Sequence, residues 1–167
     1  MIFLTVGTQL PFDRLVSAID AWSGKNGIEV VAQIGNSSLH PKHLRWSRFM
    51  STQEFRECFS AADAIVAHAG MGTILTGLDL GKPVVVVPRL AAHGEHRNDH
   101  QLATVKQLSR FPLVRPVHDV ARLGAALDTL AAPTTGAQPH SAVSAGLLDT
   151  IRNFITEGMT APWPHTA

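Results

Sequence analysis

The stretch Ala64-Ile65-Val66-Ala67-His68-Ala69-Gly70-Met71-Gly72-Thr73 decides how the rest of the chain is read. Its first four residues form a continuous apolar run, the pattern of a strand buried on both faces. The two glycines and the threonine suit the opening of a helix, and a strand running straight into a helix is half of a parallel βαβ unit. The first amides of such a helix lack intrahelical acceptors and carry partial positive charge, so they attract phosphate. Two glycines remove side chains that would block its approach. The pattern is neither a Walker A loop, since no Gly-Lys-Thr follows, nor the spaced glycines of a dinucleotide site. A tight strand-to-helix turn beside a hydrogen-bonded histidine accounts for the same residues, and the local sequence leaves both readings open.

Working outward, Ile2 to Val6 is another short apolar run, stopped by Gly7. Pro11 opens a helical pattern with Phe12, Leu15, Val16, Ile19 and Trp22 on one stripe, ended by Gly24 and Gly27. Glu29 to Ile34 reads as a second strand, Ser37 to Lys42 as a loop and Arg45 to Met50 as a third strand. Ser51 and Glu54 make a capping box for a helix reaching about Ala62. On the other side, Gly81-Lys82-Pro83 precedes the strand Val84 to Val87, which Pro88 closes. Asn98 to Ser109 reads as a helix with Leu102, Val105 and Leu108 inward. Leu113-Val114 reads as a last short strand, and Asp119 caps a helix through Leu130. The expected domain is residues 1–130. A Pro-, Thr- and Gly-rich link over 131–141, an amphipathic helix over 142–157 suited to docking a partner, and a tail over 158–167 follow.

Strands alternating with helices imply right-handed crossovers and an α/β fold: a Rossmann-like, open, mostly parallel sheet with helices on both faces. Ligands of such sheets bind beyond the carboxyl ends of the strands. Three loops lie there. Gly7-Thr8-Gln9 brings backbone amides and a hydroxyl close to a ligand, and His68 to Thr73 is the second. The third, Pro88 to Gln101, is dense in polar groups. Asn98 or Asp99 suits a helix cap, while Asp99 and Gln101 also suit sugar hydroxyls, which planar carboxylates and amides grip in pairs. His93, His96 and His100 are not expected to bind a metal, because no cysteine or second carboxylate cluster joins them. The absence of a Gly-x-Ser-x-Gly elbow argues against a serine hydrolase.

Composition narrows the classes further. The 167 residues, 45% hydrophobic and 16% charged, suit one globular domain. A formal charge of +1 provides no broad footprint for nucleic acid. The single cysteine, Cys58, rules out an internal disulfide framework and suits a reducing compartment. Met1 to Val6 lacks the basic flank of a signal peptide, and no apolar run is long enough to span a bilayer. A cytoplasmic protein is expected, recruited to the inner face of a membrane only through a partner.

Taken as a set, these segments resemble the C-terminal, donor-binding domain of glycosyltransferase family 28. Met1 to Gln9 with Pro11-Phe12-Asp13-Arg14-Leu15, then Ala62 to Gly70, then Gly81-Lys82-Pro83, are similar to the stand-alone members of that family. Those members include the small subunit of the eukaryotic dolichol-linked N-acetylglucosaminyltransferase. Glu95 to Gln101 is nearest to the bacterial PssE-type exopolysaccharide subunits. The resemblance implies the C-terminal half of a two-lobed GT-B transferase that uses a UDP-sugar without cofactor or metal. It also implies a membrane-associated partner subunit that supplies the acceptor lobe and a polyprenyl-diphosphate-linked saccharide. Carried over by motif, Gly7 and Thr8 match the first phosphate-side loop, and Phe49 and Met50 fall at the uracil pocket. Gly70, Met71, Gly72 and Thr73 face the diphosphate, and Asp99 and Gln101 contact the donor sugar. Thr76 stands where many relatives place an acidic residue for the ribose. His68 and His96 are candidates for the general base, a role the partner lobe can also fill. Arg89, His93 and Arg97 would suit a uronic acid donor. The activity implied is inverting transfer of a hexose or uronic acid in exopolysaccharide synthesis. A non-catalytic nucleotide-sugar-binding module and a self-sufficient homodimer are the alternatives.

Overall fold

Strands that are apolar on both sides need cover on both sides, and the structure supplies it. The computed structural model describes residues 1–131. Six strands, β1 (Ile2–Thr5), β2 (Val30–Gln33), β3 (Arg45–Ser47), β4 (Ala64–His68), β5 (Val84–Val87) and β6 (Val114–Pro116), form one sheet in the order β3-β2-β1-β4-β5-β6. Every pairing is parallel. The helices are α1 (Asp13–Asn26), α2 (Thr52–Ala61), α3 (Met71–Asp79), α4 (His100–Leu108) and α5 (Leu123–Ala131).

Alternation along the strands divides the core into two layers. Ile2, Leu4, Val30, Ala32, Val66, Val85 and Val87 pack against Leu15, Ile19 and Trp22 of α1 and Leu123 and Leu127 of α5. Phe3, Val31, Ile65, Ala67, Val84 and Val86 pack against Phe59 of α2, Ile74 and Leu78 of α3, and Val105 and Leu108 of α4. Each large side chain removed wholly from water, such as Leu4 or Ile65, contributes about 1.5–3 kcal/mol.

Several element ends differ from the sequence expectation, and the larger differences have visible reasons. Gly24 lies inside α1, and Gly27 is the residue that turns left-handed (φ 64°) to end it. β3 stops at Ser47 because its partner β2 ends at Gln33, so Phe49 and Met50 lie beyond the strand. α4 starts at His100, because the Asp99 carboxylate accepts the Ala91 N–H (2.8 Å) and makes no cap bond. Its buried face is Gln101, Val105 and Leu108, with Leu102 only half-buried. Asp119 accepts the Ala121 N–H as expected, but a short 3-10 turn (Val120–Arg122) intervenes before α5. The capping box of α2 forms in both directions, Ser51 with Glu54. The link, docking helix and tail expected beyond α5 lie outside the described residues.

The sheet order reverses between β1 and β4. β1 connects through α1 to β2 on one side, while β4 connects through α3 to β5 on the other. Loops leaving neighbouring strands in opposite directions open a crevice beyond their carboxyl ends.

Candidate functional site

A cleft of about 690 Å³ occupies that crevice. Gly7 and Thr8 line it from the β1 loop, and Gly70, Gly72, Thr73 and Thr76 from the start of α3. His68, His96 and Gln101 also line it, as does Met50. The remaining expected residues sit elsewhere. Phe49 is half exposed and outside the lining, and Met71 packs on the α2–α4 core layer. Asp99 is exposed and spends its carboxylate on Ala91 N–H.

The wall formed by α3 is built to face an anion. Its N-cap is Gly70, which has no side chain to accept from the first turn, and the first backbone bond back into the helix comes from Ile74 N–H to Gly70 O (3.2 Å). The amides of Met71, Gly72 and Thr73 are thereby left without an intrahelical acceptor. Among the described residues no carboxylate lines the cleft. Gly72 is a telling residue: a Cβ added there would meet no atom within 4 Å. Glycine inside a helix costs about 1 kcal/mol relative to alanine, and here no internal contact demands it. Thr76 donates its hydroxyl to Gly72 O (2.8 Å), which leaves its oxygen lone pairs to accept.

Gly7 and Gly70 have the opposite constraint. A Cβ on Gly7, whose φ is 76°, would come within 2.8 Å of His68 Cε1, and one on Gly70 would overlap His68 Nε2. The His68 ring therefore lies between the β1 and α3 loops, where only glycine backbone fits around it. Burial, then the charges of Arg89 and His96, push its pKa down to about 4, so it is neutral near pH 7. Its buried Nδ1 has no hydrogen-bond partner among the described residues.

The third loop turns out to be wired into the scaffold. Arg89 is buried, and its guanidinium donates to the carbonyls of Val6, Leu10 and Pro11 while stacking 4.7 Å from the Phe12 ring centroid. It is thus not a free cation for a uronic acid, and His93 and Arg97 do not line the cleft. Gln101, 5% exposed, accepts the Arg89 N–H through Oε1 (2.9 Å), so its amide nitrogen is the end able to donate into the cleft. Glu95 accepts from Arg14 Nε and Nη2 (2.8 and 2.9 Å) and from the Leu90 N–H (3.0 Å). Burial pushes the Glu95 carboxyl up, but these donors and the charges of Arg14 and His93 outweigh it and hold the pKa below the ordinary 4.5. A depressed carboxyl stabilises the fold above its ordinary pKa and loses that contribution as pH falls through the folded value. Glu95→Gln is expected to lower stability by about 2 kcal/mol at pH 7, with the difference from the parent narrowing below pH 4.5. Urea denaturation across that range tests it, and a pH-independent difference would contradict it.

Sequence reasoning missed several lining residues. Phe55 and Arg56 enter from α2, and nothing local to that helix says which side overhangs the cleft. Gln33 had a readable signal, a polar residue closing the buried run Val30-Val31-Ala32. It is 4% exposed, and its side-chain carbonyl takes the Met50 N–H (3.1 Å), pinning the loop after β3 to the cleft wall.

The sequence and the fold both have known counterparts. The glycosyltransferase family 28 C-terminal domain model matches residues 1–152. The chain is 32% identical over 120 residues to the UDP-N-acetylglucosamine transferase subunit ALG13 of Homo sapiens, a match over 65% of this chain and 10% of that protein. It thus spans about a tenth of the human relative. In solution, ALG13 has a similar fold (TM-score 0.59, 18% identity, 90% of this chain and 93% of that one). So does CalG4, the calicheamicin glycosyltransferase (TM-score 0.60, 16% identity), of which this chain covers 44%.

Proposed function

Because the chain belongs to the glycosyltransferase family 28 C-terminal domain family, we infer that the cleft between β1 and β4 holds the UDP moiety of a sugar donor and that the chain is the donor-binding subunit of a two-component transferase. The observation that carries this reading is the carboxylate-free cleft walled by the uncapped amides of α3, with Gly72 unfilled beside it. A diphosphate placed there meets donors already oriented for the charge that grows on it as the sugar departs. Such preorganised amides need no rearrangement in the transition state, and removing one comparable donor costs roughly 3 kcal/mol of catalysis in other enzymes. The reaction is displacement at the anomeric carbon with inversion, the acceptor hydroxyl attacking as UDP leaves.

Residues of this chain divide the recognition. Thr76 oxygen accepts from a ribose hydroxyl, and the Gln101 amide donates to the sugar. His68, held neutral, can take the acceptor proton, with His96 a second candidate across the same cleft. The acceptor lobe is assigned to another chain, and what supports this is that the ALG13 relatives are described as subunits of a transferase. Among the described residues no helix is long and apolar enough to cross a membrane. A membrane-associated partner presenting a polyprenyl-diphosphate-linked saccharide, as in exopolysaccharide assembly, would complete the enzyme.

With Arg89 tied up in the scaffold, a neutral hexose needs no counter-charge from this loop, and among the described residues Arg56 on the α2 wall is the lining arginine left to favour a uronic acid. Calorimetric titration should show binding of UDP, UDP-glucose and UDP-N-acetylglucosamine, with UDP-glucuronate no tighter than UDP-glucose. Failure of all four to bind would end the reading. Transfer by the purified chain alone would replace the two-chain enzyme with a homodimer.

A further inference from the structure

The imidazoles of His68, His96 and His100 line the cleft, and among the described residues no carboxylate does. A proton that this chain takes from an acceptor near pH 7 therefore goes to one of these rings. They are unequally equipped. His68 is wedged between Gly7 and Gly70, where a Cβ added to either glycine would run into its ring. That sets it among the loops assigned to the diphosphate, on the leaving-group side of the sugar, whereas inversion brings the acceptor oxygen in from the opposite face. Its pKa near 4 also makes it a weak base. His96 is half-buried, and its Nδ1 has no hydrogen-bond partner among the described residues, so nothing there fixes its tautomer.

His100 differs on each count. It is the first residue of α4, beside Gln101, and it is exposed. Its Nδ1 is hydrogen-bonded to Asn98 Oδ1, and its own backbone N–H donates to the same oxygen (3.5 Å). A backbone N–H can only donate, so the atom it meets is the carboxamide oxygen and not the NH2 group. That oxygen carries no hydrogen, so the bond from the ring requires one on Nδ1. The neutral ring thus keeps its lone pair on Nε2. The His96 ring packs edge-on against it, with centroids 4.4 Å apart and planes at 75°, and limits its rotation.

We propose that His100 is the general base of the transfer and Asn98 its positioning residue: Nε2 takes the acceptor hydroxyl proton as that oxygen bonds to the anomeric carbon. The bond from the anomeric carbon to the β-phosphate oxygen breaks in the same step, and its electron pair leaves with UDP. Imidazolium donates from both nitrogens, so the bond to Asn98 holds the ring before and after proton transfer. Exposure lets the proton pass on to water. The other charged side chains at the cleft, Arg56 on α2 and Arg89 after β5, are cations, and the neighbouring Asp99 is turned to Ala91 N–H. No carboxylate of the described residues lining the cleft thus competes for the proton. Water is the smallest acceptor, so a base carried by this chain hydrolyses the donor slowly without a partner.

This assignment rests on the UDP-sugar reading above, and the test keeps their failures apart. The purified chain, saturated with UDP-glucose or UDP-N-acetylglucosamine, is assayed for UDP release. His100→Ala should lower turnover at saturation by roughly a hundredfold or more, with calorimetric donor affinity kept within about threefold and activity partly restored by added imidazole. Asn98→Ala should lose about tenfold, and Asn98→Asp, which keeps an oxygen for the Nδ1 hydrogen, should regain most of it. Turnover of His100→Ala at the parent rate would overturn the proposal, as would a loss that imidazole does not relieve. A loss confined to donor affinity would make His100 a sugar contact and overturn it too. A parent that binds the donor but releases no UDP would place the base on another chain, with the same result. A parent that binds neither UDP-sugar would instead defeat the underlying function.

Discussion

Gly72→Asp is expected to weaken UDP binding more than a hundredfold and leave the fold standing. The position allows the two effects to part. A Cβ there meets nothing within 4 Å, so the backbone need not move. Aspartate is a better helix former than glycine, and a carboxylate in the first turn favours the positive end of α3, which has no acidic residue of its own there. Stability should therefore hold or rise by about 0.5–1 kcal/mol. The ligand has the contrary experience. The new carboxylate occupies the space that the missing side chain leaves and sets negative charge against the diphosphate. Two unit charges 4 Å apart repel by about 1 kcal/mol in water and about 4 kcal/mol in a partly shielded site. A hundredfold loss needs about 2.7 kcal/mol, which lies inside that range. Calorimetry with UDP, paired with thermal denaturation, measures both halves. A variant that binds UDP normally would show that the α3 terminus is not the phosphate site.

Acidification provides the second large effect, through His68. Its folded pKa is near 4 against an ordinary 6.5, because burial and the charges of Arg89 and His96 disfavour the imidazolium. The unfolded chain therefore binds the extra proton first. The contribution of His68 is intact above pH 6.5 and drains away as the pH falls toward 4, by roughly 3 kcal/mol in all. The depressed carboxyls touch only the acid end of this window. Glu95 and Asp13 begin to lose their contributions near their ordinary values of 4.5 and 3.8 and go on losing them toward their lower folded values. For Asp13 burial works upward, but hydrogen bonds from Ser37 and Ser38 more than offset it. His68→Gln, neutral throughout, should flatten the fall in urea midpoint between pH 6.5 and 4.5. Parallel curves for parent and variant would place the acid sensitivity elsewhere.

The architecture was legible because its signals are local. Val84 to Val87 and Ile2 to Val6 are apolar runs whose flanking Pro88 and Gly7 mark their ends, and the capping box at Ser51 marked the start of α2. The alternation of such segments was enough to expect a parallel sheet with helices on both faces. The resemblance then pointed to the β1 loop and the start of α3, which the reversal of strand order brings together. Composition could not show what lay behind the polarity of Pro88 to Gln101. Arg89, Glu95 and Gln101 read as solvent- or ligand-facing groups, yet all three are buried. Their status depends on partners far away in sequence: Glu95 on Arg14, 81 positions earlier, and Arg89 on Val6, 83 positions earlier. Arg56 was hidden for a related reason, since the crossover between β3 and β4, rather than any motif, sets which flank of α2 overlooks the cleft.

The reach of Arg89 also sets an order of maturation. β1 and its loop leave the ribosome before β5, and the guanidinium that ties the loop to the scaffold is made 83 positions after Val6. Until β5 and the segment after it have docked, the carbonyls of Val6, Leu10 and Pro11 lack their guanidinium partner. An early segment of the fold thus waits on a later one, and a nascent chain that stops short of β5 leaves those three carbonyls without the group that ties the loop down.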